Sequence, residues 1–332
     1  MNTSIKTIFP LGFPWQTQDP FLFCAYHYDL YPKGNQEMGP AESLEGRNLG
    51  NDFTGKNGWR MYHGRTIPGF PSHPHRGFET ITLANKGFCD HSDSLGAAGR
   101  FGNGDVQWMT AGSGVQHSEM FPLLHTEKEN HLELFQIWLN LSKDNKFVAP
   151  HFAMLWSEDI PIVNTNNSSV KIITGAYKGT NSCKPAPNSW AANPENEVAV
   201  WTIHIMPNSE FILPPSIHKV NRTLYFYEGD HITIEQKEVG INYGVDLISN
   251  QETRIKSGNK PASILVLQGK PLNEPVAKHG PFVMNTEEEI RQAMKEYGST
   301  QFGGWPWQHT DNVHHREKGR FAKYPDGTYI EK

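Results

Sequence analysis

The chain reads as a mainly β protein of two domains, each a β-sandwich or barrel, with one short helix near its C-terminus. Three observations predict this. At 332 residues it exceeds what a single hydrophobic core usually holds. Segments rich in β-branched and aromatic residues recur at roughly ten-residue spacing, separated by Gly, Pro, Asn or Asp, rather than alternating with helices. A convincing helical pattern occurs at one place only, after residue 285.

The elements follow in order. The opening stretch, MNTSIKTIFPLGFPWQTQDP, is broken by prolines and has no long apolar core, so it is a poor signal peptide. Phe78 to Leu83 (FETITL) and Leu132 to Leu141 (LELFQIWLNL) are strand patterns of the first domain. Pro150 and Pro161 interrupt what comes next, which places the domain boundary near residue 150. The expected division is therefore 1–150, 151–285 and a terminal 286–332 segment. In the second domain Val198 to Ile205 (VAVWTIHI), Leu224 to Tyr227, Ile232 to Ile234 and Ser263 to Leu267 read as strands, while 164–169 and 181–196 read as loops. Thr286 with Glu289 has capping-box spacing, Ile290, Met294 and Tyr297 make an apolar stripe, and Gly298 is placed to end the helix. The paired Trp305 and Trp307 anchor the tail, and the basic run 314–323 reads as a solvated end.

Composition excludes several functions. The net charge of −5 leaves no broad basic face for nucleic acid. No run of about 18 apolar residues exists to span a membrane. Three widely spaced cysteines, Cys24, Cys89 and Cys183, give neither a disulfide framework nor a CxxC metal site. A soluble, reduced, cytoplasmic protein is expected. Gly112-Ser113-Gly114 lacks the Lys-Ser/Thr of a phosphate loop, and no GxSxG elbow supports hydrolytic triad chemistry.

Two short motifs carry chemistry. His73-Pro74-His75 and His117-Ser118-Glu119 each place two metal-ligating side chains at i and i+2, which share one face of a β-strand. Two such pairs on neighbouring strands make a four-ligand site for one mononuclear divalent metal. Three imidazoles and a carboxylate suit Fe, Mn, Co, Ni, Cu or Zn, and the absence of thiolate argues against a closed structural zinc site. A lone histidine among sixteen means little; the paired spacing is what raises these four above the other histidines, which are left as structural. Gly104 to Gly114 (GDVQWMTAGSG) supplies glycines for tight turns just before His117. Glu119 taken alone has a plainer reading, as an ion-pair partner of Arg76.

HPHRGFETIT (73–82), GDVQWMTAGSGVQHSEM (104–120) and LELFQIWLNL (132–141) together resemble the hallmark segments of the pirin family. PHFAMLWSEDIP (150–161) and GPFVMNTEEEIRQA (280–293) extend the resemblance over nearly the whole chain, and FGGWPW resembles the bacterial-type members. The resemblance implies a double cupin: two β-barrel (jelly-roll) domains, of which only the first binds metal, usually iron. It places the ligands on His73, His75, His117 and Glu119. In cupins at large the carboxylate stands four residues after the second histidine, here Glu79, which shares strand parity with His73 and His75. The pirin pattern assigns Glu119 and leaves Glu79 to orient a ligand.

The resemblance further implies quercetin 2,3-dioxygenase chemistry: O₂-dependent opening of a flavonol ring with release of carbon monoxide. Glu119 would then also be the catalytic base, taking the proton of the flavonol 3-hydroxyl. Phe78, Trp108 and Phe135 are the expected walls for a flat aromatic substrate, and Arg76 balances charge nearby or forms an ion pair. The alternative is a non-enzymatic, metal- and redox-responsive regulator that binds a protein partner; a metal-dependent isomerase on the same barrel is a third reading. A monomer is expected, with no direct contact to nucleic acid.

Overall fold

A computed structural model describes residues 3–332. Two compact units emerge, and both are discontinuous in sequence. One gathers the described residues up to Cys24 with Glu158–Asn273; the other gathers Ala25–Ser157 with Glu274–Lys332. Each terminus therefore belongs to the unit built mainly from the other half of the chain.

In the unit containing Glu158–Asn273, a seven-stranded sheet runs in the order Ile5–Pro10, Tyr243–Leu247, Asn221–Glu228, Ala262–Gly269, Ala199–Ile205, Ser168–Thr174 and Ile162–Asn164. A four-stranded sheet runs Glu210–Leu213, Thr253–Ser257, His231–Ile234 and Lys237–Gly240. One apolar cluster joins the two sheets: Ile172, Ile203, Leu224 and Ile264 from the larger meet Phe211 and Ile234 from the smaller. Alternating side chains of facing sheets interdigitate this way in sandwiches and barrels, and each such buried side chain contributes roughly 1.5–3 kcal/mol.

The other unit is built alike. A five-stranded sheet has the order His151–Leu155, Asp105–Thr110, Phe78–Lys86, Asn130–Asn140 and Phe21–Tyr31. A six-stranded sheet has the order Tyr329–Glu331, Phe321–Lys323, Ala98–Gly102, Phe88–Asp93, Val115–Met120 and Gly69–His75. Ala84, Leu134 and Met154 from the first pack against Cys89, Phe101 and Ala322 from the second. The chain crosses between the sheets at Arg76-Gly77. Gly77 has φ 85°, and a Cβ there would lie 2.0 Å from the Val283 carbonyl oxygen, so no other residue fits the crossing without displacement.

The helix runs Glu287–Thr300, with Thr286 and Glu289 forming the capping box. Two details depart from expectation. Gly298 lies inside the helix, which ends instead on Gln301 in the left-handed region, whose N–H reaches the Tyr297 carbonyl. The inward stripe is the buried Ile290 and Ala293 with the half-buried Tyr297, packed on Phe282 and Met284, and Met294 points outward, 46% exposed. The basic end is also not a solvated tail: Phe321–Lys323 pairs with Ala98–Arg100, and Phe321 and Ala322 are buried. Arg100, fully buried, holds this segment by pairing with both Asp90 oxygens at 2.7 Å and donating to the carbonyls of His314, His315, Arg316 and Lys318. All three cysteines are free. Among the described residues no helix is long and apolar enough to cross a membrane.

Candidate metal centre

The strands Gly69–His75 and Val115–Met120 are antiparallel neighbours, with His73 directly opposite His117. Alternation then puts His73, His75, His117 and Glu119 on one face. Gly69 makes the close approach possible: its φ is 133°, and a Cβ would meet the Glu119 carbonyl oxygen at 2.5 Å.

The three imidazoles converge, with ligand-capable nitrogens all within 4.8 Å of one another. His73 Nε2 and His117 Nε2 are 3.1 Å apart, and Glu119 Oε2 is 3.8 Å from His117 Nε2. His73 Nδ1 donates to the Pro71 carbonyl at 2.9 Å, which leaves its Nε2 lone pair facing the cluster. Desolvation holds all three rings neutral: His73 is pushed down to about 4, His75 and His117 well below the usual imidazole range. Neutral imidazoles are the ligand form, so these residues are poised for a cation rather than for a proton. The spacing fits as well, since two nitrogens bound at right angles with bonds of about 2.1 Å lie about 3.0 Å apart. Burial also raises Glu119, and Thr82 Oγ1 donates to its Oε1 at 2.8 Å.

Glu79 stands elsewhere. The crossing at Gly77 breaks the parity that linked it to the histidines. On Phe78–Lys86 the inward residue is Thr82, so Glu79 belongs to the opposite, equally buried face, where Thr110 Oγ1 donates to it at 2.7 Å. The same alternation corrects two of the expected walls. Trp108 is paired with Ile81 and Phe135 with Leu83, both on the face away from Glu119. Phe78 is on the near face, its ring 5.0 Å from His75. Trp138, missed in the sequence, completes the wall: it is paired with Thr80, its ring 4.3 Å from Phe78 and 5.4 Å from His75. Arg76 points away, donating to the Ser113 carbonyl, pairing with Glu296 at 2.6 Å and lying 4.5 Å over the Phe302 ring. It braces the helix and is not the ion-pair partner of Glu119.

A second missed pair lies on the strand beside Val115–Met120. His91 stands opposite Glu119 and Asp93 opposite His117, both fully buried. Asp93 accepts from the backbone of Leu95 and Ala97 through Oδ1 and meets His91 Nε2 at 3.2 Å through Oδ2. The His-Ser-Asp spacing at 91–93 repeats the i, i+2 signal that marks the candidate ligands.

Family models described as pirin and as the pirin C-terminal cupin domain match residues 15–139 and 200–303. A Pseudomonas aeruginosa protein provisionally named quercetin 2,3-dioxygenase is 37% identical over 237 residues, covering 70% of this chain and 79% of the relative. Mouse pirin is 32% identical over 260 residues, covering 71% and 78% respectively. Among solved structures, a quercetin 2,3-dioxygenase from Acinetobacter baumannii superposes with a TM-score of 0.73 at 24% identity, covering 92% of this chain and 99% of that one. At that identity the likeness speaks for the fold, which is the mainly β double cupin.

Proposed function

The chain belongs to the pirin family, and from that premise we propose that it is a metal-dependent dioxygenase, with iron as its metal, that opens the ring of flavonols such as quercetin with O₂. The observation that carries this reading is the convergence of three neutral imidazoles and Glu119 on one inner face, beside the aromatic wall of Phe78 and Trp138. His73, His75, His117 and Glu119 would hold the metal. The metal, when bound, supplies Lewis acidity toward the substrate's oxygen atoms and one-electron chemistry toward O₂. The chain supplies the rest. Phe78 and Trp138 stack against the flat fused bicycle of the flavonol and orient it. Glu119 Oε2 would loosen its hold in the centre to take the proton of the 3-hydroxyl, while Oε1 stays anchored by Thr82. His75, His117, Glu119 and Phe78 are buried while His73 and Trp138 keep partial exposure, so a substrate seated against Trp138 would complete the exclusion of bulk water and strengthen the electrostatic interactions there. In the overall reaction both oxygen atoms of O₂ are consumed and one ring carbon leaves as carbon monoxide.

The test is anaerobic purification with elemental analysis, then oxygen uptake in the presence of quercetin. One equivalent of iron and O₂-dependent loss of the flavonol absorption support the reading. Glu119→Ala should lose metal and turnover together, whereas Glu79→Ala should keep the metal. Bound metal without oxygen uptake refutes the dioxygenase and favours a metal-responsive partner-binding protein. A chain that takes up no metal after reconstitution refutes the centre itself.

A further inference from the structure

Thr82 Oγ1 lies 2.8 Å from Glu119 Oε1 and 2.8 Å from Gln136 Oε1. A hydroxyl has one proton and two lone pairs, so it cannot donate to two oxygens at once. An ionised Glu119 offers only acceptors, so it takes the proton. Gln136 must then present its amide N–H₂ to the Thr82 lone pair; amide oxygen and nitrogen are exchanged by a simple flip of the group. The chain of donors runs from Gln136 Nε2 to Thr82 Oγ1 to Glu119 Oε1.

The scaffold of this relay is stiff. Thr82 and Gln136 are directly opposite on adjacent strands, and the Thr82 strand is flanked on both sides, by Asp105–Thr110 and by Asn130–Asn140. The β-branched Thr82 has a restricted χ1. It is fully buried, and Gln136, 9% exposed, sits nearer to solvent. Glu119 belongs to the facing sheet, so the Thr82 bond ties one sheet to the other at the carboxylate. With Oε1 tied, Oε2 is left directed at His117.

We propose that Thr82, held in turn by Gln136, is the positioning residue that aims Glu119 at the three imidazoles. The inference rests on Glu119 being a ligand, as read above. It predicts that a change made on the sheet that carries no ligands alters the metal site.

The test uses the full chain loaded anaerobically with Co(II), whose visible d–d absorption reports coordination number and whose affinity is read by competition with a chromophoric chelator. Thr82→Val keeps shape and removes the donor. It should weaken Co(II) binding about 10- to 100-fold and change the d–d band, as loss of a group that orients a ligand does. Gln136→Leu should move both readouts in the same direction by less. Thr82→Ser, which restores the donor on a freer rotor, should return both toward the unsubstituted protein. Circular dichroism of the metal-free variants checks the fold; if Thr82→Val does not fold, the contrast between Thr82→Ser and Gln136→Leu carries the test. Glu119→Ala is the reference. If it alters affinity and band while Thr82→Val and Gln136→Leu alter neither, the positioning role is overturned and the ligand stands. If Glu119→Ala alters neither, the ligand assignment falls and the positioning role with it.

Discussion

Replacing Arg100 with Met should open the unit that carries the candidate metal centre from its C-terminal end. The guanidinium is fully buried, fork-paired to Asp90 through two contacts of 2.7 Å, and donates to four successive or near-successive carbonyls of the 314–318 segment. Met approximates its stem but leaves a buried carboxylate without its cation. Removing one partner of a buried pair costs about 3–5 kcal/mol, because the charge left behind is uncompensated. At 1.4 kcal/mol per decade that is a roughly hundred- to several-thousandfold rise in the open population. The assay is limited trypsinolysis under native conditions: Lys318, Arg320 and Lys323 lie in the strap that Arg100 holds, and cleavage there tracks the open fraction when reclosing is fast. Arg100→Lys keeps the charge but not the fork, and should fall between. The double change Asp90→Asn with Arg100→Met should recover part of the loss, since no buried charge remains unpaired. Unchanged cleavage in Arg100→Met, or a double variant worse than the sum of the singles, would refute the reasoning.

Acid stability should depend on His27, which burial first and the charge of Arg60 second push down to about 3, and whose Nδ1 is 2.8 Å from the Tyr62 hydroxyl. The native state refuses a proton that the unfolded chain accepts near pH 6.5, so stability falls as pH drops from about 6.5 toward 3, by up to about 5 kcal/mol. His27→Asn keeps a donor for Tyr62 and removes that uptake; its denaturant midpoint, measured against pH, should decline less steeply over that window than the wild type's, and parallel curves would contradict it. Trp138→Leu should raise KM for quercetin several-fold while leaving bound metal at one equivalent by elemental analysis, because the ring stands beside His75 without offering a ligand atom. Glu289→Ala removes one half of the capping box and should cost about 1 kcal/mol of helix stability, seen as faster amide exchange at Asn285 and Thr286, the two N–H groups that its carboxylate holds.

The sequence by itself determined the fold class and nominated the four residues of the proposed site. Strand segments, the single helix and its Thr286–Glu289 cap are written in local pattern, and the i, i+2 spacing of His73, His75, His117 and Glu119 needs only that two strands be neighbours. What it left open were the faces. FETITL and LELFQIWLNL are buried on both sides, so alternation sorts their residues into two sets without saying which set looks inward. That is why Trp108 and Phe135 read as walls while Trp138 was passed over. Parity also carries only as far as a strand runs: the Gly77 crossing reset it and sent Glu79 to the face opposite Thr82. The anchoring of a basic tail by Arg100, and the exchange of the two chain ends between units, are contacts between residues more than two hundred positions apart. No local pattern encodes contacts of that range; only the packed structure, where a buried guanidinium must find its acceptors, decides them.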